Sequence, residues 1–198
     1  SFITWTSVGL MGAAATIAGQ NLGAGNPDRA IAGVRVASQF GLAVAAVVGT
    51  TFFLIPRYLL AVFGMDDPRV IDIGVQLLRY LSVSGFFITV ALSYTGALQG
   101  TGDTRSPLYI SVVSQIVVPL GLCTFFQATT GLEAVHIWMA ILTGHILRCI
   151  LSVGRFRQQK WRAIAVDIEP SKPHLVTAEA EVTAAEPHIP MRDTPTKT

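Results

Sequence analysis

The polar side chains of this sequence that could meet a ligand inside its apolar stretches include hydroxyls, an amide and an imidazole. The candidates for lining a cavity are Thr89, Ser93, Ser111, Gln115 and His145. A primary amide in hydrocarbon is costly unless it is hydrogen-bonded, so Gln115 should either bond a neighbouring helix or face a water-filled cavity. An imidazole titrates near neutral pH, so His145 is either a titratable cavity group or a packing histidine.

Residues for covalent or metal-assisted catalysis are not grouped in the sequence. No Asp or Glu lies clearly in the middle of an apolar stretch, and Walker, HExxH, CxxC and GxSxG patterns are absent. The dinucleotide-binding fingerprint needs a preceding strand and a third glycine at fixed spacing, and Gly23-Ala24-Gly25 has neither. The sequence therefore predicts no enzyme, no catalytic residues, no metal site and no organic cofactor.

Composition excludes one further class of protein and favours another. The net charge is only +2 and no basic cluster is interleaved with aromatic residues, so a nucleic-acid partner is not expected. Charged residues make up 13% of the chain and hydrophobic residues 51%, whereas soluble proteins carry about 25% charged residues. This composition predicts an integral membrane protein.

Five stretches are apolar over the length of about 20 residues that a membrane-spanning helix needs. They cover residues 1–19, 30–55, 70–98, 107–128 and 132–153. Three of them follow a capping residue and a proline, at Asn26-Pro27, Asp67-Pro68 and Ser106-Pro107, which is a helix-start signal. The fifth follows a capping-box pattern at residues 130–133. Strand periodicity is not evident, so the sequence predicts an all-α membrane fold.

The Lys and Arg residues of the short loops predict an orientation. One side of the membrane carries seven of them, namely Arg29, Arg35, Arg105, Arg155, Arg157, Lys160 and Arg162. The other side carries Arg57 and Arg69, with Arg79 as a debatable third. The first side is therefore predicted to be cytoplasmic. Trp161 lies among its basic residues and is predicted to be an interfacial anchor.

Small residues follow one face of the second predicted span. They recur at every fourth position, at Gly33, Ala37, Gly41, Ala45 and Gly49. Small residues at this spacing let another helix approach closely. The face is therefore either a packing surface or a surface that slides during a conformational change.

Polar stripes follow the third and fourth predicted spans. The third carries Ser82, Gly85, Thr89, Ser93, Gly96 and Gly100, and the fourth carries Ser111, Ser114 and Gln115. We expect the two stripes to face each other or a watery cavity. Pro119 should kink the fourth span, and the kink is either functional or a common feature of a membrane helix.

Two polar loops share a pattern. Residues 20–30 read Gln-Asn-Leu-Gly-Ala-Gly-Asn-Pro-Asp-Arg-Ala, and residues 96–105 read Gly-Ala-Leu-Gln-Gly-Thr-Gly-Asp-Thr-Arg. At these residues the sequence resembles the multidrug and toxic compound extrusion (MATE) family, whose members carry the first pattern after the second span of each half and the second after the fourth. The resemblance covers residues 1 to about 162.

The resemblance implies an architecture. Family members have two six-helix lobes around a central cleft, and this chain looks like about five spans of the C-terminal lobe. The seventh span and the N-terminal lobe are then expected to be missing, with the N-terminal lobe as a partner in the same protein.

The resemblance also implies an activity. Family members export organic cations in exchange for H⁺ or Na⁺ by rocking their lobes, so we expect secondary active multidrug efflux by alternating access. Small organic substrates and membrane lipid are the other expected partners. The motif residues are expected to act as a gate or hinge at the cytoplasmic edge: Gln20, Asn21, Gly23, Gly25, Arg29, Gly100, Gly102, Asp103 and Arg105.

The coupling ion is not expected to bind this chain in the way some relatives bind it. Those relatives place a carboxylate in the span equivalent to the third one here, where this sequence has Ile88-Thr89. Coupling is therefore expected to depend on carboxylates of the N-terminal lobe.

Two other functions remain open at this point. One is a lipid-linked saccharide flippase of the same superfamily, which predicts a larger and more cationic cleft. The other is a non-transporting membrane fragment or scaffold, and the sequence upstream of Ser1 would distinguish it. The transmembrane lobe is assigned to residues 1–162. Residues 163–198 are rich in Pro, Glu, Thr, Ala and Ser and are predicted to form a disordered cytoplasmic tail of an inner-membrane protein.

Overall fold

The computed structural model describes residues 2–65 and 67–164. The described residues form helices throughout and contain no strand. The helices are α1 (Phe2–Gly23), α2 (Pro27–Leu54), α3 (Pro56–Val62), α4 (Pro68–Gly100), α5 (Arg105–Val112), a π-helical segment (Val113–Val117), α6 (Val118–Thr129), α7 (Ala134–Arg157) and α8 (Trp161–Ile164). The all-α prediction is confirmed. The predicted disordered tail falls outside the described residues apart from Ala163 and Ile164, which end α8.

Four helical stretches in the described part of the chain are long and apolar enough to cross a membrane. They are Pro27–Leu54, Pro68–Gly100, Arg105–Thr129 and Ala134–Arg157. Each begins within a few residues of its predicted start. The predicted first span falls in α1, which has 22 residues and no charged side chain, and its crossing of a membrane stays a prediction.

The helix starts show which capping predictions were correct. The Asp67 carboxylate accepts a hydrogen bond of 2.8 Å from the backbone N–H of Arg69, as a cap should. Asn26 precedes Pro27 as predicted, but its side chain donates backwards to the carbonyl oxygen of Ala24 at 3.1 Å. Asn26 therefore occupies the predicted N-cap position but makes no side-chain capping bond, and Pro27 stands at the first helical position.

Two further caps lie at different residues from those predicted. Ser106 is not the cap of the fourth span, because the carboxylate of Asp103 accepts from its backbone N–H at 3.1 Å and the helix begins earlier, at Arg105. The capping box of the fifth span is shifted by one turn. Glu133 is its first residue, and the Glu133 N–H donates to Nδ1 of His136 at 3.2 Å.

Helix α4 is the centre of the bundle and packs against α1, α2 and α7. Its contact with α1 is the closest, because a Cβ atom added at Gly96 would lie 2.1 Å from the carbonyl oxygen of Met11. A Cβ added at Gly100 would lie 2.1 Å from the carbonyl oxygen of Ala15. The two glycines are one turn apart on α4, so the α1 and α4 backbones touch with no side chain between them.

The small-residue face of α2 packs against α1 and α4. A Cβ added at Gly41 would lie 2.5 Å from Cγ2 of Thr89 on α4 and 2.8 Å from Cδ1 of Leu10 on α1. One added at Gly33 would lie 2.4 Å from Cγ2 of Ile17. The predicted close approach of another helix is confirmed, and the face is a packing surface in this structure.

The polar stripes of the third and fourth spans do not face each other, which corrects the sequence prediction. Helix α7 packs against α4 and also against α5, the π-helical segment and α6. The α4 stripe instead faces α1, where the Thr89 hydroxyl lies 2.8 Å from the Ser7 hydroxyl. The Ser114 hydroxyl donates to the carbonyl oxygen of Ile110 in its own helix at 2.6 Å.

A five-residue π-helix, Val113–Val117, ends two residues before Pro119, where the sequence predicts a kink. The Val118 N–H donates to the carbonyl oxygen of Val113, and Pro119 has no N–H to donate. Prolines and single π-helical turns are both recognised causes of kinks in α-helices. Gly144 of α7 lies against this turn, since a Cβ there would be 2.4 Å from the Ser114 carbonyl oxygen and 3.1 Å from Pro119 Cγ.

Substituting Gly96 by Ala should destabilise the fold. The added methyl group meets the Met11 carbonyl and must push the α1 and α4 backbones apart, at a cost of about 1–3 kcal/mol. The matched control is Gly12→Ala on α1, where a Cβ meets nothing within 4 Å and helix propensity improves. The measurement is thermal unfolding of both variants in detergent, followed by far-ultraviolet circular dichroism. Equal midpoints for the two variants would contradict the close α1–α4 contact.

Candidate functional site

The two motif loops lie at the same end of the helices. The first motif loop, residues 20–30, joins α1 to α2, and the second motif loop, residues 96–105, joins α4 to α5. The C-terminal end of α7 and the short helix α8 reach the same end. We call residues 155–162 the α7–α8 corner.

Local hydrogen bonds fix the first motif loop. Gly25 has a φ of +74°, a conformation that favours glycine. The Asn26 N–H donates to the carbonyl oxygen of Asn21 at 2.8 Å, and the Asn21 amide donates back to the carbonyl oxygen of Ile17 at 2.8 Å. Asn21, in the last turn of α1, therefore closes the turn through its backbone carbonyl. Gln20, Gly23 and Arg29 are exposed.

The second motif loop uses the same type of helix ending. Gly102 has a φ of +90°, and the Asp103 N–H donates to the carbonyl oxygen of Leu98 at 3.0 Å, as in a glycine-terminated helix. This turn directs the Asp103 side chain toward the C-terminal end of α7. Gly100 lies in the contact with α1, and Arg105 is exposed.

Asp103 is the most strongly bonded carboxylate among the described residues. It is 6% exposed and accepts hydrogen bonds from the Ser106 N–H at 3.1 Å and the Ser106 hydroxyl at 2.8 Å. Its Oδ2 also lies 3.0 Å from Nε and 2.9 Å from Nη2 of Arg155. Charge-assisted bonds of this kind are stronger than neutral ones, so the second motif loop is firmly bound to the α7–α8 corner.

The environment of Asp103 shifts its acidity in a definite direction. Burial by itself would raise the pKa of Asp103, but the hydrogen bonds from Ser106 and the Arg155 guanidinium outweigh it, and the pKa lies below the ordinary value of 3.8. Asp103 is therefore ionised at neutral pH and keeps its ion pair with Arg155.

The first motif loop is also paired with the corner. The Arg162 guanidinium contacts the Asp28 carboxylate and lies 5.8 Å from the ring centroid of Trp161. The Asp28 side chain is 88% exposed, so this surface ion pair contributes less than the buried one. Both motif loops are thus joined to one short segment, each through an Asp–Arg pair.

Trp161 packs the α7–α8 corner against the core of the bundle. It is 1% exposed, stacks on Phe156 with 5.0 Å between ring centroids, and donates its indole N–H to the Phe156 carbonyl oxygen at 2.9 Å. It belongs to one buried cluster with Ala18, Ala30, Val34, Ala97, Leu98 and Phe156. The prediction of an interfacial anchor was wrong, because the chain turns after α7 and places the indole in the core.

Of the five predicted cavity residues, Thr89 and His145 make side-chain contacts with a neighbouring helix, whereas Ser93 bonds within its own helix. Ser93 donates to the carbonyl oxygen of Thr89 at 3.0 Å, and Nδ1 of His145 on α7 lies 2.5 Å from the Ser84 hydroxyl on α4. Ser111 is half-buried. Gln115 is half-buried too, but its Nε2 atom is fully buried and has no hydrogen-bond partner among the described residues. Among the described residues, Thr89 and Ser93 thus lie together on α4, whereas His145 lies on α7 and Ser111 and Gln115 lie on the fourth span.

The arrangement binds both motif loops to the α7–α8 corner through Asp–Arg pairs. No group of three or more His, Cys, Asp or Glu residues in the described ranges could hold a metal ion. Sequence reasoning found Asp103, but it missed Arg155 and the structural role of Trp161. The sequence carries only a weak signal for the role of Arg155, because this residue is one of several basic residues after the last span.

Comparison with known proteins places this arrangement in a family. The MatE family model matches residues 1–125, which include both motif loops. The chain belongs to the MATE family. MATE family members are transporters, and with four apolar helices of spanning length the chain is an integral membrane protein.

Several curated relatives in the MATE family are similar over most of this chain. "Probable multidrug resistance protein NorM" of Thermotoga maritima is 28% identical over 162 residues, which are 80% of this chain and 34% of the relative. The protein of the same name from Deinococcus radiodurans is 32% identical over 75% of this chain and 34% of its own length. "Multidrug resistance protein PmpM" of Pseudomonas aeruginosa is 32% identical over 80% of this chain and 36% of its own length. The chain spans about a third of the length of these relatives.

Replacing Asp103 by Asn should destabilise the loop-bearing end of the fold. The amide keeps the shape but removes the charge that faces Arg155, so we expect a loss of about 1.5–3 kcal/mol of unfolding free energy. The matched control is Asp28→Asn, whose exposed pair should be worth less than about 1 kcal/mol. Chemical unfolding of both variants in micelles measures the difference. Equal losses would contradict the different roles of the two carboxylates.

The same carboxylate predicts a pH dependence. Because the folded pKa of Asp103 lies below 3.8, the unfolded state binds this proton more tightly than the folded state. The stabilisation is therefore complete above pH 3.8 and is lost as the pH falls through the lower folded pKa. We expect the stability difference between the wild-type chain and Asp103→Asn to be constant from neutral pH down to that value and to shrink below it. A difference that disappears near neutral pH would refute this sign.

Proposed function

We propose that this chain forms part of a multidrug exporter that moves organic cations out of the cell by alternating access, in exchange for H⁺ or Na⁺. The observation that carries the proposal is the family match over residues 1–125, which includes both motif loops. The names of the relatives, "multidrug resistance protein" in each case, support the substrate class. The five spans would belong to the C-terminal lobe, and the rest of a longer protein would supply the other lobe.

The motif loops would transmit movement and would not contact the drug. Both are joined to the α7–α8 corner through Asp–Arg pairs, and the cluster around Trp161 joins the corner to α1, α2 and α4. Four helices would therefore move together at this end, as a rocking lobe requires. The positive charges of the loops and the corner favour the cytoplasmic side for this end.

The coupling ion would bind mainly outside this chain. The deepest carboxylate of the site, Asp103, is occupied by Ser106 and Arg155 and has a lowered pKa, which makes it a poor proton carrier at neutral pH. After Asp72, the long helix α4 contains no Asp or Glu. Carboxylates in the other lobe are therefore the better candidates for coupling.

Transport in everted membrane vesicles tests the proposal. Vesicles from cells expressing the complete gene should take up a cationic dye such as ethidium when a proton or sodium gradient is imposed, and collapse of the effective gradient with an ionophore should stop the uptake. Vesicles from cells without the gene are the control. If no gradient drives uptake of any cationic dye, the exporter proposal fails. Gradient-independent movement of lipid-linked saccharides would favour the flippase, and no transport of either would favour a non-transporting scaffold.

The two carboxylate variants, Asp103→Asn and Asp28→Asn, should have different rates of dye uptake in the same assay. Asp103→Asn releases the second motif loop from the corner, so we expect the dye uptake rate per copy of protein to fall by about tenfold, equivalent to ~1.4 kcal/mol in the barrier. Asp28→Asn should stay within about twofold of the wild type, because its pair is exposed. Immunoblots of the vesicles normalise for the amount of protein. An Asp103→Asn protein with the wild-type rate would show that this pair has no part in transport.

A further inference from the structure

A groove runs between α5 and α7 at the loop-bearing end of the helices. It has a volume of about 580 Å³ and opens to the outside of the bundle. Ile110, Ile150, Leu151 and Gly154 line one part, and Ser106, Tyr109, Arg155 and Gln158 line the other. These residues lie on α5, on α7 and directly after α7. The groove is thus separate from the small-residue packing of the bundle.

The lining combines an apolar part with a polar part, as a site for the acyl chain and the headgroup of a phospholipid would. Its apolar part lies along Arg105–Thr129 and Ala134–Arg157, two stretches that can cross a membrane, so hydrocarbon chains are its natural neighbours. Ile150 is 62% exposed and Tyr109 is 69% exposed, so both side chains lie on the surface of the described helices. The polar part lies where α5 begins and α7 ends, at the height expected for lipid headgroups.

The polar part can donate hydrogen bonds to an anion. A guanidinium carries five N–H donors, more than the contacts of Arg155 with Asp103 and Gln158 use. The Tyr109 hydroxyl and the Gln158 amide add two more donors. Nearby, Arg105, Arg157 and Lys160 are exposed, which adds positive charge around the opening.

We propose that the α5–α7 groove binds one anionic phospholipid, with its phosphate at Arg155, Tyr109 and Gln158 and an acyl chain along Ile110 and Ile150. The lipid would come from the leaflet that faces the positively charged end of the helices. Such a lipid would cover the apolar gap between α5 and α7 without competing with Asp103. The assignment does not depend on the transport activity proposed above.

Two point variants test the assignment at its two ends. A Cβ at Gly154 meets nothing within 4 Å, so Gly154→Leu places its side chain in the apolar part from an unobstructed Cβ. Gln158→Glu keeps the oxygen that accepts from Nη1 of Arg155 but places a negative charge beside the phosphate. The matched control is Gly121→Leu on α6, where a Cβ also meets nothing within 4 Å and which lies outside the groove.

Native mass spectrometry measures the bound lipid directly. The chain is purified in a mild detergent and mixed with equal amounts of phosphatidylglycerol and phosphatidylcholine. We expect the wild type and Gly121→Leu to retain one phosphatidylglycerol per chain, in preference to phosphatidylcholine. Gly154→Leu should lower this retention by about tenfold, because it excludes the equivalent of several methylene groups from the groove. Gln158→Glu should abolish the preference for the anionic lipid.

Each other outcome overturns the proposal. Equal retention by the wild type and Gly154→Leu removes the groove as the site, and equal retention of the two lipids by the wild type removes the phosphate contact. If Gly154→Leu does not fold, judged by circular dichroism, the Gln158→Glu comparison decides alone. In the complete gene product, a photocrosslinking residue in place of Tyr109 should capture lipid. Capture of another segment of polypeptide would show that the rest of the protein covers the groove.

Discussion

The direct backbone contact between α1 and α4 is the constraint on which the remaining structure depends. Lipid gives no hydrophobic driving force for helix association, so membrane helices gain stability mainly from close packing. At Gly96 and Gly100 no Cβ could be accommodated against the carbonyl oxygens of Met11 and Ala15. Gly19 completes the contact, since a Cβ there would lie 2.8 Å from the Gly100 carbonyl oxygen. The second motif loop therefore begins at the point where α1 and α4 touch.

This contact explains why the motif sequences combine glycines with charged residues. The glycines bring the ends of α1 and α4 together, and the turn at Gly102 then directs Asp103 toward the end of α7. Arg155 meets Asp103 there, while Trp161 fills the core beneath the corner with its indole bonded to a backbone carbonyl. Close packing within the bundle and ion pairs at its edge thus act on the same short segments. Because both motif loops are bound to the α7–α8 corner, a movement of one loop would displace the corner and, with it, the other loop.

The sequence predicted the helical elements well, because their signals are local. Apolar runs of spanning length, the prolines at helix starts and the glycine spacing of α2 depend on neighbours within a few residues of each other. The exact caps were harder to predict. Ser106 precedes a proline and is of a residue type favoured at caps, yet the Asp103 carboxylate accepts from the Ser106 N–H. The same carboxylate binds Arg155, 52 positions further along the chain, a contact that has no local signal.

Contacts between distant segments could not be predicted from local patterns. Trp161 is of a residue type that is common at membrane interfaces, and it follows the last span among basic residues. Only the turn after α7 places it in the core. The polar stripes of α4 and of the fourth span gave correct helix faces but no neighbour, and α7 proved to lie between them. Gln115 shows the limit most clearly, since its buried Nε2 atom has no partner in the described part of the chain.

A double-mutant cycle between Asp103 and Arg155 tests the central claim most directly, namely that the α7–α8 corner holds the second motif loop. Unfolding free energies of the wild type, Asp103→Asn, Arg155→Gln and the double variant give the coupling between the two side chains. We expect the single variants to be strongly non-additive, with a coupling energy of about 1.5–3 kcal/mol. Effects that add to within about 0.5 kcal/mol would mean that the two residues do not interact, and would contradict the coupling of the motif loop to the corner.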